Sequence, residues 1–426
     1  MKFYSTNKKS KAVNFKTALL RGLAEDGGLY MPQQWPEARK VHNVRNVYKV
    51  LEAFTEISED KLKEICDDAF NFPVPLVKLD ENLHILELFH GPTLSFKDFG
   101  ARFMARAMNY YLAKSGEKLN IIVATSGDTG SAVASGFYGL SNIKVFVLYP
   151  NKRISPLQEK QIATLGKNIV ALEVRGDFDD CQRLAKEALA DQKLRKKINL
   201  SSANSINIGR LLPQMYYYFL GYGQLKKLYP IFVVPSGNFG NLTAGLFAKK
   251  IGLPIKKFIA AVNKNSIIPE YLENGKLKVR KSEMTYSNAM DVGRPSNWAR
   301  IRELYDYDND NDDDKIRANL KKDIEAIMVS EAETKKTIAC VYKKYGYIID
   351  PHTAVGVVAA QKSSLWSSSS FVVLATAHPA KFKEIVESAI GKKIALPQSL
   401  EEVSKKQKKS ILIGANYKEL YKIISR

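Results

Sequence analysis

The chain has 426 residues, with 65 Lys plus Arg against 44 Asp plus Glu, a formal net charge of +21, and 45% hydrophobic and 26% charged residues. At about 150 residues per domain this length implies two or three domains, enough to bury a core without disulfide or metal staples, which excludes small stapled scaffolds. Cys66, Cys181 and Cys340 lie far apart with no CxxC pair, so neither a disulfide framework nor a structural zinc site is indicated. They read as three reduced thiols.

The opening MKFYSTNKKSKAVNF lacks the apolar stretch of a secretory signal, and no run approaches the roughly 18 residues of a membrane span. The expectation is a cytoplasmic protein without a membrane partner. Lysine pairs such as Lys8-Lys9, Lys226-Lys227, Lys321-Lys322 and Lys405-Lys406 sit in ordinary helical patterns as solvated faces would. Without a zinc finger, an RNP-type signature or a clustered patch, the charge does not indicate a nucleic-acid partner. A mildly attractive field for small anionic substrates suits it better.

Residues 1–80 read as a separate domain, mainly helical, punctuated by Pro32, Pro36, Pro73 and Pro75 and carrying an amphipathic stretch around Asp60–Ile65. Residues 81–426 then alternate short apolar runs with glycine, serine or asparagine turns and helical patterns. Ile121–Ala124 leads into SGDTG and a helix from Ser131; Lys144–Leu148 ends at Pro150. Ile231–Val234 leads into PSGNFGN and a helix through Leu246; Phe258–Val262 is the next strand; Phe371–Ala375 leads into TAHPAKF. This alternation predicts an α/β fold of parallel sheets with chemistry at the strand ends. Asp308–Asp314, in a surface insertion near 305–320, lacks the central glycine and terminal glutamate of a calcium loop and reads as a solvated loop. The serines of 363–370 read as a loop before the last buried strand. Gly346 closes one helix and Asp350-Pro351 opens another, with His352 assigned a structural part there.

Two glycine-rich turns, Ser126–Gly130 and Ser236–Asn241, can each present backbone N–H groups at a helix N-terminus, a geometry that binds phosphate or carboxylate. Neither matches GxxxxGK[ST] or GxGxxG, which disfavours nucleotidase and dinucleotide chemistry. Lys97 lies between Phe96 and Phe99 at the start of a helical pattern. A desolvated amine becomes a nucleophile towards an aldehyde, and pyridoxal phosphate needs such an amine plus a phosphate cradle. A snorkelling surface lysine is the competing reading.

The segments FHGPTLSFKDFG, ATSGDTG, SSANSINIGRLLPQ, VVPSGNFGNLTAG, SNAMDVGRPSNW and TAHPAKF occur in order along most of the chain and resemble those of the threonine synthase family, in its long bacterial and fungal branch. The resemblance implies a fold type II pyridoxal-phosphate enzyme, similar to the β subunit of tryptophan synthase. Its two α/β lobes would have helix-flanked, mostly parallel sheets, the small lobe spanning roughly 100–200. It implies a carbon–oxygen lyase acting on phosphates, converting O-phospho-L-homoserine and water to L-threonine and phosphate, and it suggests a monomer.

By the same resemblance Lys97 holds pyridoxal 5'-phosphate as an internal aldimine and shuttles protons. Gly237, Asn238, Phe239, Gly240 and Asn241 match the cradle of the cofactor phosphate, and Thr376 the hydroxyl that meets the pyridine nitrogen. Ser126, Asp128 and Thr129 match the substrate-carboxylate loop; Ser205, Asn207 and Arg210 match the segment associated with the substrate phosphate. No metal is implied. Dehydratases and β-replacing synthases of the same superfamily, or a binding module that has lost catalysis, are the alternatives. Ser95, Gly293-Arg294 and the acidic run near Asp310 depart from the family pattern.

Overall fold

Apolar β-branched runs become parallel strands when helices cover both faces of a sheet. Ile231–Pro235 and Phe371–Ala375 are buried at every position and sit side by side at the centre of the larger sheet. The computed structural model describes residues 1–36, 47–225 and 229–425; the expectation for Lys226-Lys227 lies outside them.

Among the described residues there are three sheets. The six-stranded sheet runs in the order Ile324–Met328, Lys257–Val262, Ile231–Pro235, Phe371–Ala375, Leu83–Glu87 and Leu76–Lys78. It is parallel except for its last pair, which is antiparallel. The five-stranded sheet, parallel throughout, runs Ser410–Gly414, Ile169–Arg175, Ile143–Pro150, Leu119–Ala124 and Leu200–Ser202. The last strand of the chain therefore returns to the edge of the small lobe. There Ile413, Leu420 and Ile424 join the cluster of Phe146, Leu172, Val174 and Leu184.

Near the N-terminus, Val13–Asn14, Lys2–Ser5 and Tyr30–Pro32 form a small antiparallel sheet beside the helices Phe15–Arg21, Val47–Glu52 and Glu59–Ala69. Helices hold most of the regular structure described in this region, and the small sheet adds to the expectation. Leu76–Lys78 already belongs to the large sheet, so that sheet begins before residue 80. Phe3, Phe15, Leu19 and Phe54 share one continuous core with Phe99, Phe103 and Phe232, which welds the N-terminal segment to the catalytic region.

The acidic run differs in part from its expectation. Asp308–Asn311 is exposed loop, but Asp312 caps a helix over Asp313–Asp323 whose Ile316 and Leu320 are buried. Gly346, in the left-handed region, ends the helix Glu331–Tyr345, and Asp350 caps Pro351–Lys362. Cys66 and Cys181 are buried, Cys340 is exposed, and all three are free. No described helix is long and apolar enough to cross a membrane.

Candidate active site

The loop after Leu83–Glu87 is shaped by its own side chains and by the central strand. Asp98 accepts from the backbone N–H (2.8 Å) and hydroxyl (2.7 Å) of Thr93, curling the loop back on the helix Lys97–Ser115. Ser95 bridges Ala377, and the Phe96 N–H donates to the Thr376 carbonyl over 2.9 Å. Lys97 is therefore delivered as the first residue of its helix, with its side chain 13% exposed. Burial pushes its amine down to about 8, helped by Lys381 and Arg210 and opposed by Asp128 and Asp350.

At the end of Ile231–Pro235 the second glycine-rich turn opens the helix Gly240–Lys250, whose first turn has no side-chain cap. Asn238 locks the turn: its Nδ2 donates to Ser205 Oγ (2.6 Å), its Oδ1 accepts from the Ser296 N–H (2.5 Å), and its carbonyl accepts from Asn297 Nδ2 (3.1 Å). Asn241 Oδ1 accepts from both Tyr217 (2.8 Å) and Tyr218 (2.6 Å) hydroxyls, while its buried Nδ2 has no hydrogen-bond partner.

From the small lobe, Thr125 Oγ1 accepts from the N–H groups of Gly127 (2.9 Å) and Gly130 (2.8 Å), capping the helix Asp128–Phe137. Gly127 has φ +139°, a conformation that favours glycine. Asp128, almost wholly buried, faces Lys381 Nζ at 2.7 Å and Lys97 Nζ at 3.9 Å and accepts from Gln158 Nε2 at 2.9 Å. Although desolvation opposes it, Lys381 and Lys97 hold its carboxyl well below the usual range. Arg210, also buried, donates from Nη1 to the Ala203 carbonyl (2.7 Å), while its Nε finds no partner. Burial lowers the guanidinium to about 10, so it remains cationic at neutral pH.

Every candidate named from the sequence except Asn207 lines one cleft between the lobes. Asn207 is corrected. Its Oδ1 accepts from the Gly209 N–H, and its Nδ2 donates to the carbonyls of Leu19 (2.9 Å) and Ser202 (3.1 Å), so it caps a short helix and anchors the N-terminal segment. Asn204 lines the cleft instead and pairs with both backbone groups of Ala124. Asp128 lines the cleft with its own carboxylate held by Lys381 and Gln158.

Sequence reasoning missed Lys381, whose signal is a lone cation in the small, apolar segment TAHPAKF. His352 also lines the cleft; its Nδ1 lies 2.6 Å from Asp350 Oδ2 and its Nε2 accepts from the Ala289 N–H, which fixes the ring. Arg294 is exposed and lines an outer cavity that shares Lys186, Ser202 and Ser296 with the cleft. Among the described residues no cluster of His, Cys, Asp and Glu could hold a metal ion.

A phosphorylated aldehyde fits these donors. The uncapped helix start and the unpartnered Asn241 Nδ2 suit its phosphate, and the desolvated Lys97 amine suits its carbonyl.

Fold and cleft together define a pyridoxal-phosphate-dependent enzyme of fold type II, and residues 70–377 match the family described as "Pyridoxal-phosphate dependent enzyme". Residues 2–70 match "Threonine synthase N terminus" and residues 353–424 match "Threonine synthase, C-terminal". The chain belongs to the threonine synthase family. It is 44% identical over 412 residues to threonine synthase of Haemophilus influenzae, covering 94% of each chain. The crystal structure of Escherichia coli threonine synthase superposes with a TM-score of 0.91 at 42% identity, covering 100% of this chain and 99% of that one. The structure of PLP-bound threonine synthase from Brucella melitensis gives 0.91 at 36% identity, with the same coverage of both chains.

Proposed function

We propose that this cleft converts O-phospho-L-homoserine and water to L-threonine and phosphate. The observation that carries the assignment of parts is the buried Lys97 amine, which shares one cleft with an uncapped helix start at Gly240 and a buried guanidinium at Arg210. Pyridoxal phosphate, when bound, supplies an electron sink that acidifies hydrogens on the carbons next to the substrate amine.

The N–H groups of Gly237, Asn238, Phe239, Gly240 and Asn241 would hold the cofactor phosphate. Thr376 would offer its hydroxyl to the cofactor ring, a neutral partner where a carboxylate would hold the ring protonated. Lys97 would hold the cofactor through its carbonyl and, with its amine free, would carry protons at the α- and β-carbons of the substrate. Ser126 and Thr129, at a helix N-terminus, bind the substrate carboxylate. Ser205 and Arg210 bind the substrate phosphate, the guanidinium providing planar, charge-assisted hydrogen bonds. Phosphate departs from the γ-carbon, which takes up the proton lost from the β-carbon and becomes the methyl group; water then gives its hydroxyl to the β-carbon and its remaining proton to the phosphate, and the balance is complete. A single chain contains every one of these groups, and we propose that it acts as a monomer in the cytoplasm.

The test is phosphate release and threonine formation from O-phospho-L-homoserine by the wild type and Lys97→Ala. Equimolar products that vanish in the variant support the reading. Faster turnover of L-serine or L-threonine than of the phosphorylated substrate would move the chain to a dehydratase.

A further inference from the structure

Lys381 lies on the single 3-10 turn Pro379–Phe382 that follows the central strand Phe371–Ala375. Its side chain is wholly buried; Nζ donates to the Thr93 carbonyl over 2.8 Å and meets Asp128 Oδ1 at 2.7 Å. One ammonium thus ties three pieces together: the end of the large sheet, the loop that presents Lys97, and the first residue of a small-lobe helix. The Asp128 carboxylate stands between two lysines at unequal distances. Lys381 and Gln158 hold Oδ1 within hydrogen-bond range, whereas Oδ2 is 3.9 Å from Lys97 Nζ, too far for a hydrogen bond.

We propose that Lys381 is a positioning residue that draws the Asp128 carboxylate away from Lys97, keeping the Lys97 amine out of a close ion pair and open to the cofactor carbonyl. This rests on reading Lys97 as the cofactor lysine. A buried carboxylate that loses its nearer cation closes on the remaining one, because an unpaired buried charge is costly. Lys97 would then gain a tighter anion and lose a repelling cation, and both changes favour its protonated form. The other charged groups facing Lys97 do not offset them. Arg210 is held by the Ala203 carbonyl, and Asp350 is engaged by His352 and Thr353. The low basicity of Lys97 agrees with the arrangement.

The experiment titrates the holoenzyme with pH and follows the visible absorption of the Lys97–cofactor bond, which changes as its nitrogen gains a proton. Lys381→Gln retains a donor for the Thr93 carbonyl and removes the charge; Lys381→Met removes both; Lys381→Arg retains charge. The midpoint is expected to rise by about one pH unit, a tenfold change in proton affinity, in the Gln and Met variants, and to return towards wild type in the Arg variant. Because Lys381 acts through Asp128, the rise caused by Lys381→Gln shrinks by more than half when Asp128→Asn is already present. Equal midpoints in wild type and Lys381→Gln, or an undiminished rise in the Asp128→Asn background, overturn the proposal. Should the Lys381 variants fail to hold cofactor, Asp128→Asn in the otherwise unaltered chain decides: the midpoint must fall, and an unmoved one overturns the proposal. A wild type without the visible band is a different failure, which removes the reading of Lys97 and this inference with it.

Discussion

The Phe96 N–H and the Thr376 carbonyl are joined by a 2.9 Å hydrogen bond, so the residue before Lys97 is pinned to the residue that follows the central strand. With the Ser95–Ala377 bridge beside it, the bond fixes the backbone that carries Lys97 against the backbone that carries Thr376. Position 376 can therefore be altered in its side chain while the register is kept. Thr376→Val, nearly isosteric, is expected to fold and bind cofactor but to release phosphate roughly 10- to 100-fold more slowly, the loss of one hydrogen bond of about 1–3 kcal/mol in a buried site. Thr376→Ser restores the hydroxyl and most of the rate. Steady-state phosphate release checks both, and full activity in Thr376→Val would leave the hydroxyl without a role.

Gly237 packs directly on the backbone of the 288–292 segment. A Cβ built there would stand 2.6 Å from Met290 Cα, and backbone cannot swing aside as a side-chain tip can. Gly237→Ala is expected to lift the turn from Met290 and move the N–H groups proposed to hold the cofactor phosphate. The dissociation constant for pyridoxal phosphate should rise about 5- to 30-fold, as expected for 1–2 kcal/mol of lost contacts, with far-ultraviolet circular dichroism unchanged. Titrating the apoprotein with cofactor measures it.

Local signals made half of this architecture readable. Ile231–Pro235 and Phe371–Ala375 are continuous apolar runs followed by glycine or small-residue turns, and both are central strands. Ile169–Arg175 and Ile324–Met328 carry Glu173 and Glu325, which break such a run although their backbones pair in parallel. Glu173 is tolerated because Lys408 and Asn151 engage it, the lysine coming from the far end of the chain. No local window contains that partner. The strand Ser410–Gly414 was hidden for the same reason: its pairing with Ile169–Arg175 is set by tertiary packing. In the cleft, the local pattern around Lys97 and the glycine turn left a surface lysine and an ordinary strand-to-helix turn open, and the family resemblance set the functional reading above them. Asn207 and Asn204, three apart in SSANSINIGR, could not be told apart until the Leu19 carbonyl was seen to claim the former.

That distinction predicts opposite phenotypes for two neighbours. Asn207→Ala removes a helix cap and two bonds to carbonyls, so it should lower unfolding free energy by about 1–3 kcal/mol while changing KM less than about twofold. Arg210→Lys keeps the charge but loses the planar fork, and should raise KM for the phosphorylated substrate by roughly 10- to 100-fold. Denaturant unfolding and steady-state kinetics on both variants separate the roles. A large KM effect in Asn207→Ala would return that residue to the site.

The depressed basicity of Lys97 makes cofactor capture and apoprotein stability pH-dependent in a defined direction. Only the neutral amine attacks the aldehyde. With the amine at about 8 rather than the ordinary 10.5, about one in ten molecules is ready at pH 7, against roughly one in several thousand for an exposed lysine. The rate at which apoprotein captures pyridoxal phosphate should therefore rise about tenfold per pH unit below 8 and level off above it. The same shift links to stability. The unfolded chain holds this proton more tightly than the folded one, so folding is increasingly favoured from about pH 8 up to about 10.5, and the cost of the buried ammonium is fully felt below 8. Lys97→Met, which replaces the amine with an apolar chain of similar length, should raise the apoprotein Tm at pH 7 and abolish this residue's rise in stability towards pH 10. Differential scanning fluorimetry of both apoproteins across that range checks it, and parallel pH profiles would mean that the amine is solvated rather than buried.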